Sequence, residues 1–412
     1  MENYPLIIRQ NSSSSPSFGF QVLSEYELPK STSEVFTSYF ATTLGPQVAR
    51  QFMRFNNQTV VDKATEDMMH LIDPFWYQFP PLHPLWYICL GLVILILGII
   101  GVCGNFVVVY IFLLTPSMRT PSNLLVINLA FSDCIMMFVN CPPMVISSYY
   151  ETWVLGPVFC EIYAMFGSLC GCASIWTMTA IAFDRYNVIV KGMKGTPLTV
   201  VRALIQIIII WLFGLLWAIL PMVGWNRYVP EGNLTACGTD YLATDWGSRS
   251  YILVYSFFVY YMPLFTIIYS YYFIVSTVAA HEQAMRDQAK KMNVASLRSG
   301  DQSGESAEIK LAKVALTTIG LWFMAWTPYL VINYIGIFNR NLLTPLFTIW
   351  GSLFAKANAI YNPIVYGVSH PKYRSALKEK LPFFVCGETG EGAPAPAANT
   401  NAADTVSTNS KA

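Results

Sequence analysis

The chain has 412 residues, of which 54% are apolar and only 12% are charged, and its formal net charge is +1. Soluble domains carry about 25% charged residues, so this composition argues against a water-soluble globular protein and favours one that lies largely in lipid. A net charge so close to zero gives no indication of a nucleic-acid partner.

The first 84 residues are polar, rich in Ser, Thr, Asn and Gln, and contain no apolar run long enough to cross a membrane. We interpret residues 1–84 as an N-terminal tail with weak local order. From Leu85 the sequence becomes strongly apolar, and residues 86–114 contain no charged side chain. Because about 20 such residues are enough for a helix to cross a bilayer, this stretch predicts the first membrane span.

Six further apolar stretches follow, and together the seven predict a bundle of transmembrane helices over residues 85–369. The fold class that we predict is therefore an all-α membrane protein, a seven-transmembrane helix bundle followed by a short amphipathic surface helix. The predicted spans after the first are 121–147, 157–185, 200–224, 250–279, 311–337 and 343–368.

Lys and Arg are far more frequent in the loops on one side of this bundle than on the other. Such an excess marks the cytoplasmic side, so we expect an extracellular N-terminal tail on a multi-pass plasma-membrane protein. Asn-x-Ser/Thr triplets on the predicted outer side are candidate glycosylation sites. They begin at Asn11, Asn57 and Asn233.

Residues 370–387 follow the seventh span and predict an amphipathic helix region on the cytoplasmic membrane surface. His370 and Pro371 make a good helix start, and Cys386 is a candidate for lipid attachment. Residues 388–412 are rich in Ala, Thr, Asn and Ser and predict a disordered cytoplasmic tail.

Lys356 lies near the middle of the seventh predicted span, with roughly 20 Å of helix between it and Leu343 at the start of the span. A charged lysine at this depth costs at least a few kcal/mol. One interpretation is a structural lysine that is ion-paired or neutral. The other is a nucleophile that forms a Schiff base with an aldehyde.

Glu231 is a candidate for the negative charge that a protonated Schiff base needs in an apolar pocket. It lies in the second outer loop, six residues before Cys237. Cys160 begins the third span on the same oxidising side, so a disulfide with Cys237 is allowed and would pull the loop over the bundle. The alternative for Glu231 is a solvated loop acid. The acids within the spans are Glu161, Asp133 and Asp184.

The residues Asp184, Arg185 and Tyr186 end the third span at its cytoplasmic end. Glu308, at the start of the sixth span, offers Arg185 a second carboxylate. A pair between these two helices would hold the inner face closed until it breaks, which makes a two-state switch. The alternative is that Arg185 only anchors its helix at the inner surface.

Two prolines bend the sixth and seventh spans. Pro363, within Asn362–Tyr366, removes a backbone donor, so we expect Asn362 to join a buried polar cluster that is either a switch or ordinary structural hydrogen bonding. Trp326, just before Pro328, is either packing or a ligand contact that transmits ligand shape to the sixth helix. The other predicted members of the polar cluster are Asn105, Asp133 and Asn358.

Together these residues resemble the rhodopsin-like G-protein-coupled receptors, from about Trp86 to Tyr373. Lys356 matches the retinal-binding lysine of the opsins within that family. The motifs that carry the resemblance are Gly104-Asn105, Asn128–Asp133, the Cys160 and Cys237 pair, Asp184–Tyr186, Trp326-Thr327-Pro328 and Asn362–Tyr366.

A finer resemblance, to insect visual opsins of the green or long-wavelength branch, is carried by residues 149–192, 288–294 and 370–374. It implies 11-cis-retinal or 3-hydroxyretinal as a covalently bound chromophore. It also implies a heterotrimeric G protein of the Gq class, arrestin and a receptor kinase as partners, in the rhabdomeric membrane of photoreceptor cells. Tyr163 occupies the position at which vertebrate visual opsins have a glutamate counterion, which favours Glu231 as the counterion here.

The sequence thus predicts a visual photoreceptor, in which isomerisation at Lys356 moves Trp326 and the sixth helix and opens the Arg185 region to a G protein. This is signalling without substrate turnover, so we expect neither an enzyme nor a metal site. Two alternatives remain: a retinal photoisomerase without a G-protein role, and a receptor for a diffusible ligand whose acid group pairs with Lys356.

Overall fold

A computed structural model describes residues 58–292 and 307–382, except for the side chains of residues 289, 307, 308 and 371. Seven long helices, α1 to α7, run through this described part of the chain and are followed by a short helix, α8. Their bounds are α1 Pro84–Leu114, α2 Pro121–Tyr149, α3 Gly156–Tyr186, α4 Val200–Ile219, α5 as Trp246–Ser256, a π-helical turn Phe257–Tyr261 and Met262–Lys291, α6 Ala307–Asn339, α7 Pro345–Ser369 and α8 Pro371–Lys380.

Prolines and threonines fix where several of these helices begin. Proline occupies one of the first two positions of α1, α2, α3, α7 and α8, where a backbone N–H would have no partner within the helix. The hydroxyls of Thr120, Thr199 and Thr344 accept hydrogen bonds from backbone N–H groups in the first turns of α2, α4 and α7. The helix starts therefore follow from local sequence.

Six helices in the described chain, α1 to α6, are long and apolar enough to cross a membrane. α7 is less apolar because polar side chains lie on its buried face. It packs against α6, α1 and α2 as the seventh member of the bundle, so the predicted fold class is confirmed. The buried polar residues of α7 are Thr348, Ser352, Lys356, Asn358 and Asn362.

Residues 59–83 correct the prediction of a weakly ordered tail over 1–84. They contain two 3-10 helices, Glu66–Leu71 and Pro74–Gln78, and Trp76 is only 1% exposed. Their apolar residues follow no helix or strand period, so they gave no sequence signal, yet they pack into the same buried clusters as the outer ends of the helices. The folded region therefore begins before residue 85.

A short hairpin lies between α4 and α5. Its strands, β1 Tyr228–Pro230 and β2 Cys237–Thr239, pair antiparallel, with Pro230 opposite Cys237. Every residue from 228 to 242 is buried, so this loop is part of the core. α4 ends earlier than the predicted residue 224, because the chain turns after Ile219 and Pro221 cannot continue the helix.

The surface helix predicted after the seventh span is present as α8. Tyr373 and Ala376 are buried on the side of α8 that packs against α1, while Lys378 and Lys380 lie in its last turn. An apolar side and basic residues elsewhere on the helix are expected of a helix that lies on a membrane surface.

Candidate functional site

A cavity of about 110 Å³ lies beneath the β1–β2 hairpin, between α3, α5, α6 and α7. Two ionisable side chains of opposite charge, Lys356 of α7 and Glu231 of the hairpin turn, line it together. Glu161 is not among the described residues that line it. Six of the residues that line it are aromatic: Tyr163, Tyr255, Tyr260, Trp322, Trp326 and Tyr329.

Lys356 is 8% exposed and points into the cavity from α7. Its Nζ donates a hydrogen bond of 2.8 Å to Ser352 Oγ, one helical turn earlier. Nζ also lies over the Tyr163 ring, 5.1 Å from the ring centre, a geometry that attracts a cation. Ser352 was not predicted, although its spacing of four residues from Lys356 places it on the same helix face.

Glu231 is 4% exposed, so its carboxylate is removed from water. Burial raises the pKa of the Glu231 carboxyl above its usual value, and the positive charge of Lys356 offsets part of this rise. Tyr329 and Ser352 also lie close enough to favour the charged form, although Oε1 has no partner with hydrogen-bond geometry among the described residues. Glu231 therefore faces the cavity and not the solvent.

Gly238 allows the carboxylate of Glu231 and the hydroxyl of Tyr329 to meet over the hairpin. A Cβ on Gly238 would overlap both Glu231 Oε1 and the Tyr329 hydroxyl. The glycine is required here for close approach, because these two polar groups lie directly against the backbone of β2.

The disulfide predicted between Cys160 and Cys237 is present, with the two Cα atoms 5.4 Å apart. It joins the start of α3 to β2 and fixes the hairpin over the cavity. The backbone N–H of Glu231 donates 2.8 Å to the carbonyl of Ala236, so the turn that carries the carboxylate is held by the strand that contains the bridge.

Trp326 forms part of the cavity wall from α6. Its ring stacks on Trp322 at 5.5 Å between ring centres, and a Cβ on Gly171 of α3 would lie 2.8 Å from it. The indole is thus held closely between α3 and its own helix. Its buried Nε1 has no hydrogen-bond partner in the described part of the chain.

The predicted polar cluster is brought together only in part. Asp133 accepts 2.6 Å from Asn362 Nδ2 and 2.8 Å from Ser174 Oγ, a residue that sequence reasoning missed. Asn105 instead donates 2.7 Å to the carbonyl of Ala359. Asn358 is buried, but neither of its side-chain polar atoms has a partner among the described residues.

At the cytoplasmic end, Asp184 and Arg185 form a buried ion pair. Ser122 of α2, also not predicted, donates 2.7 Å to Asp184 Oδ2 and accepts 2.9 Å from Arg185. Tyr186 follows them and packs near Tyr269 of α5, with 5.9 Å between ring centres. The side chain of Glu308 lies outside the described residues.

Farther along α7, Pro363 lies against Gly104 of α1, where a Cβ would be 3.1 Å away. Tyr366 is buried and meets Phe112 of α1 edge-on at 6.3 Å. The Asn362–Tyr366 segment therefore joins α7 to α1 and α2.

Asn233 does not have the exposure that a glycan needs. It is 3% exposed, and its side-chain amide donates a hydrogen bond to the Thr235 hydroxyl within the buried hairpin turn. The structure therefore does not support Asn233 as a glycosylation site. The remaining predicted modification sites, Asn11, Asn57 and Cys386, lie outside the described residues.

Comparison with known proteins identifies relatives of this chain. The family described as "7 transmembrane receptor (rhodopsin family)" matches residues 104–366. Rhodopsin of Camponotus atriceps is 68% identical over 339 residues, which cover 82% of this chain and 90% of that protein. "Rhodopsin, long-wavelength" of Apis mellifera is 64% identical over 374 residues, covering 91% and 97%.

Among solved structures, the crystal structure of squid rhodopsin is similar, with a TM-score of 0.70 and 39% sequence identity. The match covers 76% of this chain and 90% of the squid chain.

Proposed function

Because the chain belongs to the rhodopsin family of seven-transmembrane receptors, we propose that it is a visual photoreceptor with retinal bound covalently to Lys356. The observation that carries the proposal is that Lys356 and Glu231 line one cavity together with six aromatic side chains. Long-wavelength rhodopsin of Apis mellifera is among its relatives, and this supports a visual role.

The residues of the cavity fit an elongated apolar aldehyde. Its aromatic wall suits an apolar chain, Lys356 supplies an amine, and Glu231 Oε1 is a buried acceptor without a partner among the described residues. When bound, 11-cis-retinal or 3-hydroxyretinal supplies light absorption and a change of shape on isomerisation.

Each residue near the amine has a separate role in this proposal. Lys356 holds the chromophore through a Schiff base, and Glu231 supplies the negative charge that keeps the linkage protonated. Tyr163 offers a ring face in place of a carboxylate. The Cys160–Cys237 disulfide keeps Glu231 over the cavity, and burial excludes the water that would hydrolyse the linkage.

The proposed output is activation of a heterotrimeric G protein of the Gq class at the cytoplasmic end. Trp326 lies in the cavity wall, so a change of ligand shape acts on α6. The Asp184, Arg185 and Ser122 cluster ties α3 to α2 at the inner surface and is the element that this movement would rearrange.

The proposed setting is the plasma membrane of a rhabdomere, with the N-terminus outside and arrestin and a receptor kinase as further partners. It is supported by the similarity to insect visual rhodopsins and by the excess of Lys and Arg on the opposite side of the bundle.

The proposal is tested by adding 11-cis-retinal to membranes that contain the full chain. We expect a visible absorption band that changes on illumination, together with light-dependent nucleotide exchange on a purified Gq-class G protein. Membranes without retinal are the control. A light-sensitive band without nucleotide exchange on any G-protein class would favour the photoisomerase, and the absence of any band would favour a receptor for a diffusible ligand.

A further inference from the structure

Residues Thr59–Phe79, which we call the outer cap, form a closed loop over the hairpin. The backbone N–H of Val60 donates 2.9 Å to the carbonyl of Phe79 and joins the two ends of the cap. Asp73 accepts 2.8 Å from the N–H of Phe75, and Arg340 at the end of α6 lies over the Phe75 ring. The cap is therefore held both internally and against the bundle.

Trp76 is the residue of the cap that contacts the backbone next to Glu231. Its indole is 1% exposed and rests on the backbone of Gly232, the residue after Glu231. A Cβ on Gly232 would lie 2.7 Å from the Trp76 ring and 2.5 Å from Thr348 Oγ1. Gly232 is thus held between the cap and α7 with no space for a side chain.

Thr348 connects this contact to the amine. Thr348, Ser352 and Lys356 are spaced four residues apart, so they lie on one face of α7. Trp76 therefore presses the turn that carries Glu231 onto the face of α7 that carries Lys356.

The turn itself is tight. Leu234 is fully buried with a φ of 60°, and its N–H donates 2.6 Å to the carbonyl of Glu231. It belongs to one buried cluster with Trp76, Val61 and Leu343. The packing of the cap thus adds to the hydrogen bonds and the disulfide that fix the position of this turn.

We propose that Trp76 is a positioning residue that holds Glu231 beside Lys356 and that the outer cap closes the cavity to water. This inference rests on the proposed function. The titratable groups that face Glu231 come from four elements: Lys356 of α7, Tyr329 of α6, Tyr163 of α3 and Tyr241 after β2. The Trp76 indole carries no charge, so any effect of Trp76 on the pH behaviour must pass through the position of these groups or their exposure to water.

The test uses the full chain reconstituted with 11-cis-retinal, comparing Trp76→Leu with Trp76→Phe and with Trp246→Leu. Trp246 lies at the outer end of α5 and is 66% exposed, so it is a control for loss of an outer tryptophan. Two quantities are measured in darkness: the rate of bleaching by hydroxylamine, and the pH at which the visible band converts to an ultraviolet band.

For Trp76→Leu we expect hydroxylamine bleaching to be faster by about tenfold, because a weakened cap opens more often, and the conversion to occur at lower pH. Trp76→Phe should restore most of both properties, and Trp246→Leu should match the wild type. Trp76→Leu that matches the wild type in both measurements overturns the inference. Faster bleaching with an unchanged conversion pH shows a lid only and overturns the positioning role.

A second pair of variants separates positioning from general stability. In a Glu231→Gln background, Trp76→Leu should not move the conversion pH further, because the carboxylate through which Trp76 acts is already absent. Additive shifts would overturn the proposal. If Trp76→Leu yields no pigment, Gly232→Ala disturbs the same contact from the side of the turn. It should shift both measurements in the same direction, and wild-type behaviour of Gly232→Ala would overturn the proposal.

Failure of the wild type itself to form a pigment would count against the proposed function, and the inference falls with it.

Discussion

Lys356 Nζ lies 5.1 Å from the centre of the Tyr163 ring, so the amine of α7 and the phenol of α3 meet across the cavity. The ring presents its face to the amine. The phenol oxygen instead contacts Met144 Sδ at 3.6 Å. Tyr163 therefore offers the amine the negative potential of an aromatic face, and the full negative charge has to come from another residue.

Two substitutions of Tyr163 distinguish the contribution of its ring from that of its hydroxyl. Tyr163→Phe keeps the ring face, so we expect a visible pigment whose conversion to an ultraviolet form occurs at nearly the wild-type pH. Tyr163→Leu removes an attraction of about 0.5–2 kcal/mol, so its conversion should occur at lower pH by about 0.4–1.5 units. Absorption spectra across pH measure both. A shift in Tyr163→Phe as large as that in Glu231→Gln would make the phenol the charge partner.

Glu231→Gln should abolish the visible band at neutral pH and leave an ultraviolet band. Removal of one partner of a buried charge pair costs about 3–5 kcal/mol, which corresponds to a fall of roughly 2–4 units in the conversion pH. Glu161→Gln is the matched control, because Glu161 is an acid of the same type near the start of α3 outside the cavity lining. Equal spectra for Glu231→Gln and wild type would return Glu231 to the role of a loop acid.

The retinal-free protein should show the cost of burying Glu231. Its pKa is raised in the folded state, so this carboxyl favours folding most below its unfolded value and less as pH rises through the folded value. Glu231→Gln, which is always neutral, should therefore melt higher than wild type at pH 7, by about 2–4 °C for each kcal/mol. The difference should vanish near pH 4. Thermal melts followed by tryptophan fluorescence across pH test this, and a variant that is less stable at pH 7 would show that the attraction between Glu231 and Lys356 outweighs the cost of burial.

Ser122 bonds to both Asp184 and Arg185, and in the proposed switch these bonds help to hold the inner face closed. Loss of such a bond changes the free energy by about 0.5–1.5 kcal/mol, so Ser122→Ala should raise G-protein nucleotide exchange in darkness by about two- to tenfold. Asp184→Asn should raise it further, because it removes the charge as well. Ser148→Ala, which removes a buried hydroxyl at the outer end of the same helix, is the control. Dark exchange in Ser122→Ala no greater than in Ser148→Ala would remove Ser122 from the switch.

The sequence was sufficient for the helices because six spans are apolar runs of the required length, and the seventh is long enough although polar side chains interrupt it. It also placed Lys356 near mid-membrane and marked two cysteines in outer loops as a possible bridge. The outer cap was missed because its buried residues, such as Trp76, follow no period and acquire their partners from distant segments. Ser122 and Ser174 were missed for a related reason, since a serine within an apolar helix has no distinctive pattern until its neighbour from another helix is known.

Asn233 shows the opposite failure. Its triplet satisfies the glycosylation pattern, but a local pattern contains no information about burial, and here the whole turn is folded into the core. Tyr329 and Gly238 likewise become informative only once the hairpin is placed over α6, because their relation to Glu231 depends on contacts between segments far apart in the chain.

The measurement that tests the central claim most directly is the location of the bound chromophore. The pigment is reduced with borohydride in the light-exposed state, digested, and analysed by mass spectrometry, with Lys356→Ala in parallel. The account predicts a retinyl group on the peptide that contains Lys356, and no visible band in Lys356→Ala. A retinyl group on another lysine, or a visible band that persists in Lys356→Ala, would contradict it.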